Sequence, residues 1–181
     1  FENNPNPLAF WYMLLNRGYR IGVTATSDAA FDVGRTPGSR RGATFVHVPA
    51  LTEANIVEAV KNRRTAVTTG NGGMILLSID GEYSGAVLAP SGRRTLKCET
   101  WYRPGGRVTA EIVRYGETTV SRELVSDAQG RAEFEMEIDE NENSWYLALL
   151  RDPELPGHVQ AAASPVYFRD ASFRKPDVYE F

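Results

Sequence analysis

The sequence predicts an α+β protein in which an N-terminal partial α/β segment is followed by an immunoglobulin-like antiparallel β-sandwich. Three observations predict it. Up to about residue 70, helical and strand periodicities alternate along the chain; from about residue 74, apolar residues recur at every second position; and Gly, Pro, Asn and Asp clusters then separate short strands at regular spacing. The expected organisation is an α/β segment over 1–72, a β-sandwich over 73–170 and a C-terminal tail over 171–181.

Leu8, Trp11, Tyr12 and Leu15 fall at i, i+3, i+4 and i+7, one stripe of a helix that Pro7 opens and Gly18 caps. A strand over Ile21–Thr26 is expected next, and a second over Thr44–Val48, ended by Pro49. Thr52 is an N-cap candidate with Glu53 in the first turn, and Ile56, Ala59 and Val60 form the apolar stripe of a helix that ends near Arg63 and Arg64. A strand over Thr65–Thr69 completes a strand–helix–strand rhythm that predicts a parallel sheet. Gly70-Asn71-Gly72-Gly73 is expected to be a hinge, and it lacks the Lys-Ser/Thr that a phosphate loop requires.

Beyond the hinge the period is two. Ile75, Leu77 and Ile79 alternate with Leu76, Ser78 and Asp80, and Asp80-Gly81 is a hairpin signal. Further strands are expected over about 96–102, 107–114, 118–125 and 132–138, where Ala132, Phe134, Met136 and Ile138 alternate with Glu133, Glu135 and Glu137. Trp145–Leu150 is apolar on both faces and is expected to be a central strand; 159–163 and 166–168 supply the last ones.

Composition bounds the function. The chain has 181 residues, 42% of them hydrophobic, which suffices for an ordinary core. A net charge of −3 and a pI near 5.5 argue against nucleic acid as a partner. No window reaches the length of an apolar membrane span. The lone cysteine, Cys98, sits in an alternating stretch and is expected to be a small core side chain. The chain begins at Phe1 without an initiator methionine or a signal-type segment, which reads as removal of whatever preceded it; the compartment is left open, an extracytoplasmic one included.

The candidate site residues are few. Asp28 ends the strand that begins near Ile21, and a carboxylate at such a strand end faces the open end of a sheet, where metal and substrate sites collect. Only His47 and His158 could add imidazoles, and no Cys/His cluster has ligand spacing; His47 is expected to be structural and His158 to lie in a surface turn. Arg35, Arg40 and Arg41 mark a loop that is either simply solvated or a contact for an anion. Glu133, Glu135 and Glu137 read as a wet strand face, since same-face carboxylates stand roughly 7 Å apart. Trp101, Tyr102 and Tyr115 are either core aromatics or a platform for sugar stacking.

The order of features resembles the C-terminal end of PHP-domain metallohydrolases of the CehA/McbA type. The likeness is carried by Trp11 to Gly18, Tyr19 to Asp28 ending in Thr-Ser-Asp, the Arg/Gly loop with Ala43-Thr44-Phe45-Val46, and Val57 to Gly70. Leu77-Ser78-Ile79-Asp80-Gly81, Ser144-Trp145-Tyr146 and Ser164-Pro165-Val166-Tyr167 are similar to the β-sandwich that follows the barrel in those proteins. The resemblance implies a distorted (β/α) barrel whose His, Asp and Glu residues hold two or three metal ions for hydrolysis of phosphoesters or related bonds. Its last motif, Ser-Asp-x-His, supplies two metal ligands; here it reads Ser27-Asp28-Ala29-Ala30, so Asp28 is the metal ligand implied and the imidazole is absent. The expectation is a C-terminal part of such a hydrolase, not catalytic alone. Divalent Mn, Zn or Fe would be held by the intact parent, with none bound tightly by this chain. The partner would be the remainder of the PHP domain or another chain, and open sheet edges make a homo-oligomer an expected arrangement. The alternative from another class is a non-enzymatic β-sandwich module that recognises a glycan or a partner domain.

Overall fold

The structure is a computed structural model that describes residues 7–25, 42–69 and 73–173. Asp28, the arginines at 35, 40 and 41, and residues 70–72 of the expected hinge lie outside the described residues.

Two sheets face each other. The larger has eight strands. Along one side it runs β1 (Ala43–Val46), β2 (Thr65–Thr68), β11 (Leu155–Ala163) and β10 (Ser144–Asp152), then β12 (Val166–Phe168) and β5 (Val87–Leu88); the other edge of β10 pairs with β7 (Arg107–Arg114), which pairs with β8 (Glu117–Val125). The smaller sheet is ordered β4 (Glu82–Tyr83), β3 (Met74–Ile79), β6 (Gly92–Trp101) and β9 (Arg131–Glu140). Every pairing is antiparallel except β12 with β5. The β-sandwich expected from the period-two pattern is therefore present.

Its core is built by alternation. Ile75, Leu77 and Ile79 of β3 and Leu96 and Cys98 of β6 meet Val108, Ala110 and Ile112 of β7 and Tyr146, Ala148 and Leu150 of β10. The intervening residues of β10, Trp145, Leu147 and Leu149, point to the opposite face and are buried there as well. What covers them is α1 (Pro7–Asn16), whose Leu8, Trp11, Tyr12 and Leu15 form the predicted stripe. Polar links fix its seat. The Trp145 indole N–H donates to Asn16 Oδ1 at 2.9 Å and the Trp11 indole N–H to the Ile21 carbonyl at 3.0 Å. Gly18 caps the helix at φ +86°, its N–H donating to the Leu15 carbonyl.

Two N-terminal expectations are corrected. The sheet predicted to be parallel is antiparallel, since β1 and β2 pair in register Ala43↔Thr68 to Val46↔Thr65, and the His47 N–H donates to the Arg64 carbonyl beyond them. Helix α2 (Glu53–Lys61), N-capped by Thr52 as predicted, is thus an excursion inside a long hairpin rather than a crossover. The strand expected from residue 21 is not formed over residues 21–25. Both edges of β2 are taken, by β1 and β11, so no ladder beside it is open to that segment. Its backbone is tied by hydroxyls instead: Val23 N–H donates to Ser164 Oγ, Thr65 Oγ1 donates to the Val23 carbonyl, and Ala25 N–H donates to Thr44 Oγ1. Because β2 bonds β11, strands from before and after residue 72 share one sheet.

The buried carboxylate of Glu140 is bonded. The Glu140 side chain is 1% exposed, and it accepts from Arg114 Nε at 2.8 Å and Ser144 Oγ at 2.6 Å. Burial works against its carboxylate, yet the bonds from Arg114, Ser144 and the Glu142 amide hold its pKa below the ordinary 4.5. Around Tyr167, whose hydroxyl donates to the Ile21 carbonyl, Arg20 and Arg169 each stand 5.3 Å from the ring centroid. Arg20 donates to the Gly85 carbonyl and Arg169 to the Gly18 carbonyl, so these cations join chain segments through peptide oxygens.

Leu15→Ala, which uncovers the outer face of β10, should lower the unfolding free energy by about 3 kcal/mol in urea denaturation. A depressed folded-state pKa gives stability that is present above the unfolded value and lost as pH falls through the folded one, so Glu140→Gln should flatten the loss of stability as pH falls below the ordinary carboxylate value of 4.5 in the same assay.

Candidate functional site

The sequence-derived candidates do not converge. Trp101 lies under the Arg131 guanidinium, 5.8 Å from the ring centroid. Tyr102 packs against the sandwich core, and Tyr115 stands 6.4 Å from Trp145 beside α1. Three aromatics in three environments form no common row. Glu133, Glu135 and Glu137 are exposed, as expected of a wet face, and they are matched by cations: Lys97 lies 3.2 Å from Glu133 and 3.9 Å from Glu135, and Arg93 is 3.9 Å from Glu137. Arg131 also bonds Glu99 and Glu133. Cys98 is buried in the core, where desolvation pushes its thiol up to about 12, and so it is a packing residue. Among the described residues no three His, Cys, Asp or Glu side chains group as a metal site. The donor set that the resemblance implies is not found within them, and no chemical step follows from a metal here.

What the fold does build is a cleft between the β1–α2–β2 hairpin and the turn after β3. It begins with two local decisions. Asp80 (φ +51°) and Gly81 (φ +82°) form the two-residue loop that the sequence signals, turning β3 into β4 so that Tyr83 pairs with Ser78. On the opposite wall, α2 stops in a Schellman arrangement: the Arg64 N–H donates to the Ala59 carbonyl and the Arg63 N–H to the Val60 carbonyl. Arg63 takes the left-handed position usually given to glycine, φ +62°, and is held there by its own side chain, whose Nε donates to the Arg20 carbonyl at 2.6 Å. Arg64 is thereby delivered to the cleft.

The walls are pinned together at Gly85. A Cβ at that position would stand 2.0 Å from the Asn62 carbonyl oxygen, so only glycine permits this approach of the turn to the end of α2. The Gly85 N–H donates to the Pro165 carbonyl at 2.7 Å, and its own carbonyl accepts from Arg20.

The cleft has two neighbouring compartments. One, of about 520 Å³, runs from His47 and Pro49 past Asn62 and Arg64 to Glu82 and Gly85. The other, of about 200 Å³, is walled by Phe45, Ala66, Met74 and Leu76. His47, Arg64, Tyr83 and Ser84 border both. The His47 and Tyr83 rings stack at 4.2 Å with 42° between planes. Ser84 is 6% exposed, and its Oγ has no hydrogen-bond partner among the described residues. His47, expected to be a structural histidine, therefore has its ring on a cavity wall. Arg64, Tyr83 and Ser84 were not candidates in the sequence reading. The one signal that could have found them is the Asp80-Gly81 hairpin, which places the next residues at a tip.

Neither a scan against protein-family models nor a search of curated proteins returns a match for this chain.

An unpaired buried hydroxyl costs about 1 kcal/mol or more. Ser84→Ala should therefore leave the free protein unchanged or raise its thermal midpoint, as measured by differential scanning calorimetry, whereas an unrelated buried serine that is bonded, Ser164, should lower it on the same change.

Proposed function

We propose that this chain is the C-terminal part of a PHP-type metal-dependent hydrolase, phosphoesterase-like, in which the sandwich is an immunoglobulin-like accessory domain and the helices at its edge adjoin the barrel. The observation that carries this reading is the uncovered apolar surface on the N-terminal elements. Helix α2 is amphipathic, yet only Ala59 of it is buried; Val57 is 44% exposed, Val60 43%, and Leu51 just before it 83%. Phe45 on the adjoining β1 is 38% exposed. A helix that presents apolar residues without a neighbour is ordinarily covered by one in the working protein. The colinear motifs from Trp11 to Gly70 supply the identity of that neighbour as the rest of the barrel.

In this reading the present chain contributes position rather than chemistry. A metal-activated water needs several ligands fixed in an enclosed site, and this chain would contribute Asp28 alone from the final motif. The divalent ion, when bound in the parent, would lower the pKa of its water and polarise the scissile ester; this chain's part is to carry Asp28 on the segment that continues from Tyr19–Ala25. The sandwich is tied to that segment at Val23, through Ser164 and Thr65.

In the polypeptide that joins this chain to the proposed barrel, Asp28→Ala should reduce bound Mn, Zn or Fe and lower phosphodiester turnover by about tenfold or more, read by elemental analysis and a chromogenic diester. The present chain alone should show no turnover above the blank. Equal metal content and equal turnover in the Asp28→Ala protein would remove Asp28 from the site and the reading with it.

A further inference from the structure

We infer that the cleft between the β1–α2–β2 hairpin and the turn after β3 binds a small aromatic carboxylate. The inference goes beyond the hydrolase reading and does not rest on it. Two features of the walls, with the charge on the rim, point to this chemistry.

The first is the apolar compartment. At about 200 Å³ it exceeds the ~150 Å³ of apolar cavity that accepts a benzene ring. Its walls of Phe45, Ala66, Met74 and Leu76 offer a single ring dispersion contacts on several sides, and the stacked His47–Tyr83 pair adds aromatic faces at its border.

The second is an uncommitted cation at the junction. Most arginines of this fold are engaged: Arg94 with Asp80, Arg114 with Glu140, Arg131 with Glu99 and Glu133, and Arg63 with backbone carbonyls. Arg64 borders both compartments, and its side chain makes no hydrogen bond or ion pair with the described residues, while its backbone is fixed by the bond from the His47 N–H. A planar guanidinium matches a carboxylate through two parallel hydrogen bonds.

Glu82, exposed on the rim of the larger compartment, sets the charge that fits: a monoanion is attracted by Arg64 without the added repulsion that a doubly charged phosphate would meet.

The test is titration of the isotopically labelled chain with phenylacetate, followed by amide NMR, with acetate and benzyl alcohol as the charge-only and ring-only probes. Saturable shifts at His47, Arg64, Tyr83 and Ser84 are expected, with each single-feature probe bound at least about tenfold more weakly. Arg64→Gln, a change at an exposed side chain without partners, should keep the melting midpoint and weaken phenylacetate by about tenfold or more. Absence of saturable binding, shifts confined to other surfaces, or equal affinity in Arg64→Gln would overturn the inference.

Discussion

Strand β10 has no side turned to water, and the rest of the molecule is arranged to make that tolerable. Its backbone is hydrogen-bonded to β7 along one edge and to β11 and β12 along the other. Its side chains are buried in both directions, alternately into the sandwich and under α1. A strand with two apolar faces is stable only if both are covered. One sheet can cover only one of them. The second cover must come from elsewhere, and in this chain it comes from the first ordered helix, more than a hundred residues away in sequence. The N-terminal elements are therefore part of the same folding unit as β10, whatever else they touch.

That constraint also governs how the edges of the unit are closed. The segment from Tyr19 to Ala25 crosses beside the sheet without joining it, and the hydroxyls of Ser164, Thr65 and Thr44 satisfy its peptide groups. Three elements that are distant in sequence, α2, the turn at Gly85 and the turn at Pro165, meet through the Gly85–Pro165 backbone bond and one glycine that no other residue could replace. The cleft is a by-product of this meeting, since two walls pinned at one end and diverging at the other leave a wedge between them. Its polar groups are then decided by which residues the two turns happen to expose.

Much of this was legible in the sequence and some was not. The stripe Leu8, Trp11, Tyr12 and Leu15 specified α1, the Asp80-Gly81 pair specified a two-residue loop, and the doubly apolar run from Trp145 to Leu150 specified a central strand, because each is a local pattern with a local cause. The direction of β1 relative to β2 was not legible. A strand–helix–strand crossover and a hairpin with a helical excursion share the same periodicities, and what separates them is that β11, some ninety residues further on, occupies the far edge of β2. The cleft escaped for the same reason. Its walls come from Phe45–Pro49, Asn62–Ala66, Met74–Leu76 and Gly81–Ala86, and no single one of these segments carries a recognisable motif. Asp28, the residue the sequence marked most clearly, lies outside the described residues.

Helix α2 occupies an unusual thermodynamic position. It hangs from a hairpin whose stem is closed on one side by β11 and at the neck by the His47–Arg64 bond, while a single alanine of the helix is buried. The winding and unwinding of α2 is thus decoupled from the integrity of the sheet beneath it. Amide protons of the helix will exchange through local openings, while those of β10 await global unfolding.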